Sequence, residues 1–338
     1  VTRLTPERHA AWDEYVRAHS EGTFFHLSAW QQVLRRAFGH RTHYLLAEEG
    51  GCIRGVLPLA EVKSRLFGHS LVSTPFCVYG GIVADDAAAM AALREQACVL
   101  ARELRVDQLE LRNRRRANPD WPAKELYVTF RKKIDPDSEA NMLAIPRKQR
   151  AMVRKGIQNG LKAEIDADVS RVYDIYSESL RNLGTPVFSR RYLQILKEVF
   201  GADCEVLTVT SAGQPVASVL SFLFRDEVLP YYGGGTFAAR AVAGNDFMYW
   251  EVMERARQQG RVLFDYGRSK RGTGAFDFKK NWGFEAEPLF YEYFLVNASA
   301  VPNVSPTNPK YELMIKVWRR LPLWLTRRLG PLLAGSLG

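Results

Sequence analysis

One pattern occurs twice in this chain. Gly22-Thr23 followed by Phe38-Gly39 returns, at a constant offset, as Gly184-Thr185 followed by Phe200-Gly201. Between these markers Ala29-Trp30-Gln31-Gln32-Val33-Leu34 is echoed by Arg191-Tyr192-Leu193-Gln194-Ile195-Leu196. Downstream, Tyr79-Gly80-Gly81 is echoed by Tyr232-Gly233-Gly234, and Leu109-Glu110-Leu111-Arg112 by Leu263-Phe264-Asp265-Tyr266. Two long copies call for one domain duplicated in tandem, because solenoids stack several much shorter units. With 338 residues, each copy has enough chain to bury a core of its own. A cleft is expected on the second copy and at the junction.

The charge balance narrows the partners. The chain carries 47 Lys and Arg against 37 Asp and Glu, a net charge of +10. This favours RNA, a nucleotide-linked substrate, CoA or an anionic membrane. Cys52, Cys77, Cys98 and Cys204 show no CxxC spacing, and the six histidines form no HExxH array, so no metal site is expected. No apolar run approaches 18 residues and no signal segment opens the chain, which leads us to expect a cytoplasmic protein.

Periodicity gives the two halves the same order of elements. In the second half it predicts helices over 168–182 and 190–200, then strands over 204–209, 215–224 and 227–232. Hairpins are expected at Ala212-Gly213-Gln214 and Arg225-Asp226. A helix over 247–259, capped by Asn245 or Asp246, and a strand over 262–266 complete this half. The first half reads as a helix over 27–37, strands over 42–48, 55–63 and 78–83, a helix over 87–104 and a strand over 108–112. The fold class is α+β with mixed, mostly antiparallel sheets.

This order resembles the GNAT (acyl-CoA N-acyltransferase) fold. The duplication, with Ile145-Pro146-Arg147-Lys148-Gln149-Arg150 opening the second copy and Phe278-Lys279-Lys280-Asn281-Trp282-Gly283-Phe284 closing it, is similar to the FemAB/FemX family. Asn245-Asp246-Phe247-Met248-Tyr249-Trp250 with Phe264-Asp265-Tyr266-Gly267-Arg268-Ser269-Lys270 resembles its branch found in PEP-CTERM/exosortase exopolysaccharide clusters. The resemblance covers roughly residues 1–297. It implies one GNAT-like domain over 1–140 and a second, with the main site, over 141–297. A linker over 298–309 and a basic amphipathic tail over 310–338 follow.

Several segments carry candidate chemistry. Gly233, Gly234 and Gly235 end a strand, where bare backbone can approach a donor's phosphates or a developing oxyanion, or serve a turn of positive φ. Asn245 joins them as a donor-binding candidate. Asp265, Arg268 and Lys270 end an apolar strand, where Asp265 can receive a proton from an amine and the two cations can hold an anion. An Asp265–Arg268 ion pair closing the loop is the other reading. The resemblance puts Phe278 and Lys279 at the substrate and donor end, and Lys279 between Phe278 and Trp282 reads as a cation beside aromatic faces. Arg147 and Arg150 lie in a run of cations at helical spacing, and the resemblance implies contact with a nucleotide-linked acceptor. The alternative is a solvated face. Asp265, Lys279 and Tyr232 are placed nearest the chemistry.

Two departures bear on the donor. No segment reads R/Q-x-x-G-x-G/A, the pyrophosphate cradle of CoA-dependent GNAT enzymes; Arg257-Gln258-Gln259-Gly260-Arg261-Val262 fails at its last position. No long heptad stretch supplies the coiled-coil arm common in the bridge-building Fem enzymes. The expected donor is therefore acyl-CoA or aminoacyl-tRNA, with no metal. The expected acceptor is an amine or hydroxyl of a nucleotide- or lipid-linked sugar precursor. The competing reading is a non-catalytic GNAT-like scaffold that binds such precursors or a membrane-associated assembly. The tail alternates apolar and basic residues over 310–329, which suits either an anionic membrane surface or packing on the domain body.

Overall fold

The computed structural model describes residues 1–64, 68–301 and 309–335. Its chain divides into two units. Unit 1 takes Val1–Tyr127 together with the stretch that begins at Pro288, and unit 2 takes Val128–Glu287 and the tail helices. The division is not the simple cut after residue 140, and the end of the second copy, near 297, belongs to unit 1. Of the expected linker, residues 302–308 lie outside the described residues.

In unit 1, helices α1 (His9–Ala18) and α2 (Trp30–Phe38) lead into strands β1 (Leu45–Glu49), β2 (Cys52–Leu57), β3 (Leu59–Ser64) and β4 (Gly68–Ser73). Helix α3 (Ala87–Glu103) and strand β5 (Gln108–Asn113) follow. The expected strand over 55–63 is thus two strands parted at Pro58, which has no N–H to give a ladder. That over 78–83 is irregular chain that reaches only the short strand Val83–Ala84. Strand β4, which the sequence did not suggest, pairs in parallel with β5 from Ser70↔Gln108 to Val72↔Glu110. The late strand Phe290–Leu295 completes this sheet beside β5. It is pinned by Glu292, a fully buried carboxylate that accepts from Asn113 Nδ2, Ala117 N, Asn118 N and Asn118 Nδ2 at 2.5–3.0 Å. Four donors compensate the charge's lost hydration.

Unit 2 opens with strand β6 (Tyr127–Lys133) and helices α4 (Ser138–Ala144) and α5 (Arg147–Gln158). Strand β7 (Lys162–Asp166), helices α6 (Ser170–Leu183) and α7 (Arg190–Phe200), and strands β8 (Cys204–Ser211), β9 (Gln214–Phe224) and β10 (Glu227–Gly235) come next. Helices α8 (Phe237–Val242) and α9 (Gly244–Gln258), strand β11 (Leu263–Asp265) and helix α10 (Gly274–Asn281) follow, then tail helices α11 (Pro309–Trp318) and α12 (Leu323–Ala334). The sheet order is β7-β8-β9-β10-β11-β6, extended by Ser269–Lys270. All pairs in this series are antiparallel except β10–β11, which is parallel across α9.

Local signals explain most boundaries. Ser189 caps α7 by accepting from Tyr192 N at 3.1 Å, and Gly184 ends α6 in the left-handed region. Ala212 and Gly213, both at positive φ, make the β8–β9 hairpin turn. The expected cap of α9 fails: the helix begins at Gly244, its N-cap position is Ala243 in the left-handed region, and Asn245 and Asp246 lie inside its first turn. Helix α8 fills the expected loop and runs into α9 through that single residue.

Candidate active site

The glycines of β10 lie beyond the point where its pairing with β11 ends. Strand β10 is paired with β9 through Gly235, but with β11 only at Glu227↔Leu263 and Val228↔Phe264. From Leu229 onward no strand among the described residues pairs with its other edge, so the two parallel strands part there. None of Gly233, Gly234 and Gly235 lies at positive φ, so the turn reading fails. Packing requires them instead. A Cβ on Gly234 would stand 2.6 Å from Ser179 Cβ of α6, and one on Gly235 would run into Asn245 Oδ1 and stand 2.8 Å from Ala239 Cβ. A Cβ on Gly233 would meet Val219 Cγ2 at 2.9 Å. Asn245 Oδ1 is buried and accepts no hydrogen bond.

The same place in unit 1 is closed. Beyond the β4–β5 pairing, Gly80 N and Gly81 N donate to Arg112 O at 3.2 and 3.1 Å, and His26 Nε2 lies 2.9 Å from Gly81 O. Burial lowers the His26 pKa to about 4, so its ring is neutral and fixed as a plug. A cavity of only about 40 Å³ remains among Thr23, His26, Tyr79 and Arg114, room for a water or two.

The chemistry-bearing end of unit 2 is built around Lys279 on α10, a helix capped by Thr273. Lys279 Nζ donates to Gly267 O at 3.0 Å and Arg268 O at 3.1 Å, the turn that follows β11. The rings it faces are Phe130 of β6, at 5.8 Å, and Tyr266, at 5.4 Å. Trp282, expected beside it, lies wholly in the core, and its indole N–H goes to Asp246 Oδ1 at 3.1 Å. Burial pulls the Lys279 pKa down to about 7; nearby Asp265 resists this and Arg268 adds to it. The amine is therefore divided between charged and neutral forms at neutral pH.

Asp265 is buried and opposite Arg131 in the β6–β11 register. Arg131 Nε lies 3.3 Å from Asp265 Oδ2, and the same guanidinium binds Glu227, the first residue of β10. Asp265 Oδ1 also accepts from Gly267 N at 2.8 Å and Thr129 Oγ1 at 3.3 Å. One guanidinium between two buried carboxylates thus ties β6, β10 and β11 together just before the strands part. These contacts let Asp265 fix the Gly267 turn.

The other candidates are dispersed. Tyr232 is buried in an aromatic cluster, its hydroxyl 2.7 Å from that of Tyr192 and its ring 5.7 Å from Tyr176 and 5.9 Å from Phe188. Phe278 is half-buried against Tyr249 and Tyr266. Arg268 and Lys270 are half-buried in the turn after β11, and burial lowers the pKa of Lys270. Arg147 is exposed at the start of α5, and Arg150, half-buried, reaches toward Leu143 O at 3.5 Å.

Two residues that sequence reasoning did not single out complete the site. Tyr266 carries a buried hydroxyl with no hydrogen-bond partner among the described residues, and burial holds its pKa well above the usual phenol value. It is a neutral donor whose ring lies beside the Lys279 amine. Asp246, buried in the first turn of α9, accepts from Gln149 and Trp282, and burial raises its pKa. The FDYG sequence at 264–267 was the available signal for Tyr266; nothing local foretold Asp246. Among the described residues no cluster of His, Cys, Asp or Glu is arranged to hold a metal ion, and no helix is long and apolar enough to cross a membrane.

Comparison with known proteins agrees with this architecture. Residues 147–280 match the acetyltransferase (GNAT) domain family. The structure of FemX superposes with a TM-score of 0.69 at 15% identity, covering 93% of this chain and 99% of that one. L-PGS from Bacillus licheniformis superposes at 0.54 and 12% identity over 96% of each chain. A tandem GNAT protein from the clavulanic acid biosynthesis pathway superposes at 0.54 and 11%, covering 87% and 96%. No curated protein sequence matches the chain. The fold is therefore α+β with mixed sheets and resembles the tandem-GNAT arrangement of FemX over nearly the whole chain, and residues 147–280 match the GNAT domain family.

Proposed function

We propose that unit 2 transfers an aminoacyl or acyl group to an amine, less readily a hydroxyl, of a nucleotide- or lipid-linked cell-envelope sugar. The observation that carries this reading is a lysine amine with a pKa of about 7, held on the turn that follows β11, at the end where β10 and β11 part. Such a group suits proton transfer at neutral pH. The acceptor nitrogen attacks the donor's carbonyl carbon, a C–N bond forms, and the C–O or C–S bond to the carrier breaks. Neutral Lys279 takes the proton lost by the nitrogen and returns it to the leaving oxygen or sulfur. The Tyr266 hydroxyl, a donor without a partner, is our candidate for the carbonyl oxygen as its charge develops. Arg147, Arg150, Arg268 and Lys270 hold the anionic acceptor, and Gly233, Gly234, Gly235 and Asn245 meet the donor.

Of the two donors, aminoacyl-tRNA fits better than acyl-CoA. A diphosphate seated at the start of α9 would need free N–H groups. It would meet α8 immediately before that turn and the buried Asp246 carboxylate within it. The sequence also lacks the pyrophosphate-cradling signature. An exopolysaccharide precursor as acceptor, used at the inner face of the cell membrane, rests on the sequence resemblance alone.

A thermal-shift screen tests this reading with short- and long-chain acyl-CoAs and with a non-hydrolysable aminoacylated RNA hairpin. A ligand at about 100 times its dissociation constant adds about 2.7 kcal/mol of stability. The expected result is a shift with the aminoacylated hairpin that an uncharged hairpin does not match. A shift with acyl-CoA alone overturns the donor assignment, and no shift with either favours the scaffold.

A further inference from the structure

We propose that the tail helices form a docking platform for an anionic lipid bilayer, fixed to unit 2 by one face and presenting the other. The proposal stands apart from the acyl-transfer reading.

The inner face is built. Ile315 fills the space beside Gly184, where a Cβ would come within 2.5 Å of Ile315 Cγ2. Trp318, Thr326, Gly330 and Ala334 are buried, with Gly330 against the Val187 backbone. Arg327 Nε donates to Ser177 Oγ at 2.8 Å, and its guanidinium pairs with Asp174 at 3.0 Å. These contacts hold both helices on the unit 2 body.

The outer face is apolar and cationic. On α11, Leu313, Met314 and Val317 fall on one side at 3.6 residues per turn, and all three are exposed. On α12, Trp324, Arg328 and Leu332 form a row at i, i+4, i+8, with Trp324 66% and Leu332 72% exposed. From Leu313 to the end, the sequence has five Lys and Arg and no Asp or Glu. Single exposed leucines are ordinary on a surface, but a large exposed apolar set on each of two successive helices, interspersed with cations, is not. Arg320 and Arg328 are exposed and make no ion pair among the described residues.

This complementarity selects the occupant. An anionic bilayer offers phosphates directly above hydrocarbon. Trp324 suits that boundary, and the Arg328 stem can lie along the apolar row while its guanidinium reaches the headgroups. The helices are short, so they lie on the surface.

The test is co-sedimentation of the full chain with vesicles of phosphatidylcholine alone and with about a third phosphatidylglycerol. Juxtamembrane cations each contribute measurably to such binding. We expect binding only to the anionic vesicles, weakened at least about tenfold by R320E/R328E and also by W324S/L332S. These side chains are exposed, so both variants should melt like the parent. Absence of binding to anionic vesicles overturns the proposal, as does undiminished binding by both variants. A dimer in light scattering that W324S/L332S dissolves, without vesicle binding, would assign the face to a second copy instead.

Discussion

Replacing Lys279 by Met isolates the cost of keeping this amine under rings. In an unfolded chain the amine titrates near 10.5, and in the fold near 7. At one pKa unit per 1.36 kcal/mol, the difference is worth up to about 5 kcal/mol. Its sign follows from proton counts. Between those two values the unfolded chain binds more protons, so stability rises with pH and the charged-amine penalty fades. Below pH 7 both states are protonated and the penalty is complete. K279M lacks the titrating group. Urea unfolding at pH 6, 8 and 10 should therefore show the variant ahead of the parent at pH 6, by a few kcal/mol after the loss of the contacts to Gly267 O and Arg268 O. The gap should close by about 1.4 kcal/mol per pH unit above pH 7. Parallel stability curves for the two proteins would refute the reasoning, because they would mean an amine that titrates alike folded and unfolded.

Other perturbations read separate parts of the site. Gly234→Ala drives a methyl against Ser179 Cβ at 2.6 Å and should destabilise by about 1–3 kcal/mol, whereas Gly274→Ala meets open space and should leave the melting temperature within a degree or two. Arg131→Met strands Glu227 and Asp265 as buried carboxylates and should lower urea stability by about 3–5 kcal/mol at pH 7, with a smaller loss in acid, where Glu227, whose pKa burial already raises, takes up a proton. Trp282→Phe removes a donor from buried Asp246 and should cost about 1–3 kcal/mol by the same measurement.

The sequence carried the local structure well where signals were local. The hairpins at Gly213 and Arg225 involve neighbours in the chain, and the structure has them. What escaped was non-local. Strand Phe290–Leu295 joins the unit 1 sheet across a long stretch of chain, held by Glu292, and no periodicity specifies a partner so remote. Asn245 and Asp246 have ideal capping chemistry, yet α8 reaches α9 through a left-handed Ala243, an unusual residue for that conformation. At the site, the motif picked out Lys279 but misassigned its surroundings. Trp282 lies three residues on, at the C-cap of that helix, but its indole turns to Asp246, and the rings facing the amine come from Phe130 and Tyr266. Tyr266 itself was read as the end of an apolar strand; the FDYG sequence pointed at it, but its burial without a partner is what marks it.

The most direct test of the account is transfer itself. Purified full-length protein would be given labelled aminoacyl-tRNAs and a nucleotide-linked amino-sugar acceptor, and label in the acceptor followed from pH 5.5 to 9. The account predicts transfer that rises through an apparent pKa near 7 and is lost, by at least about a hundredfold, in K279M. Transfer that K279M retains with the same pH profile would contradict it.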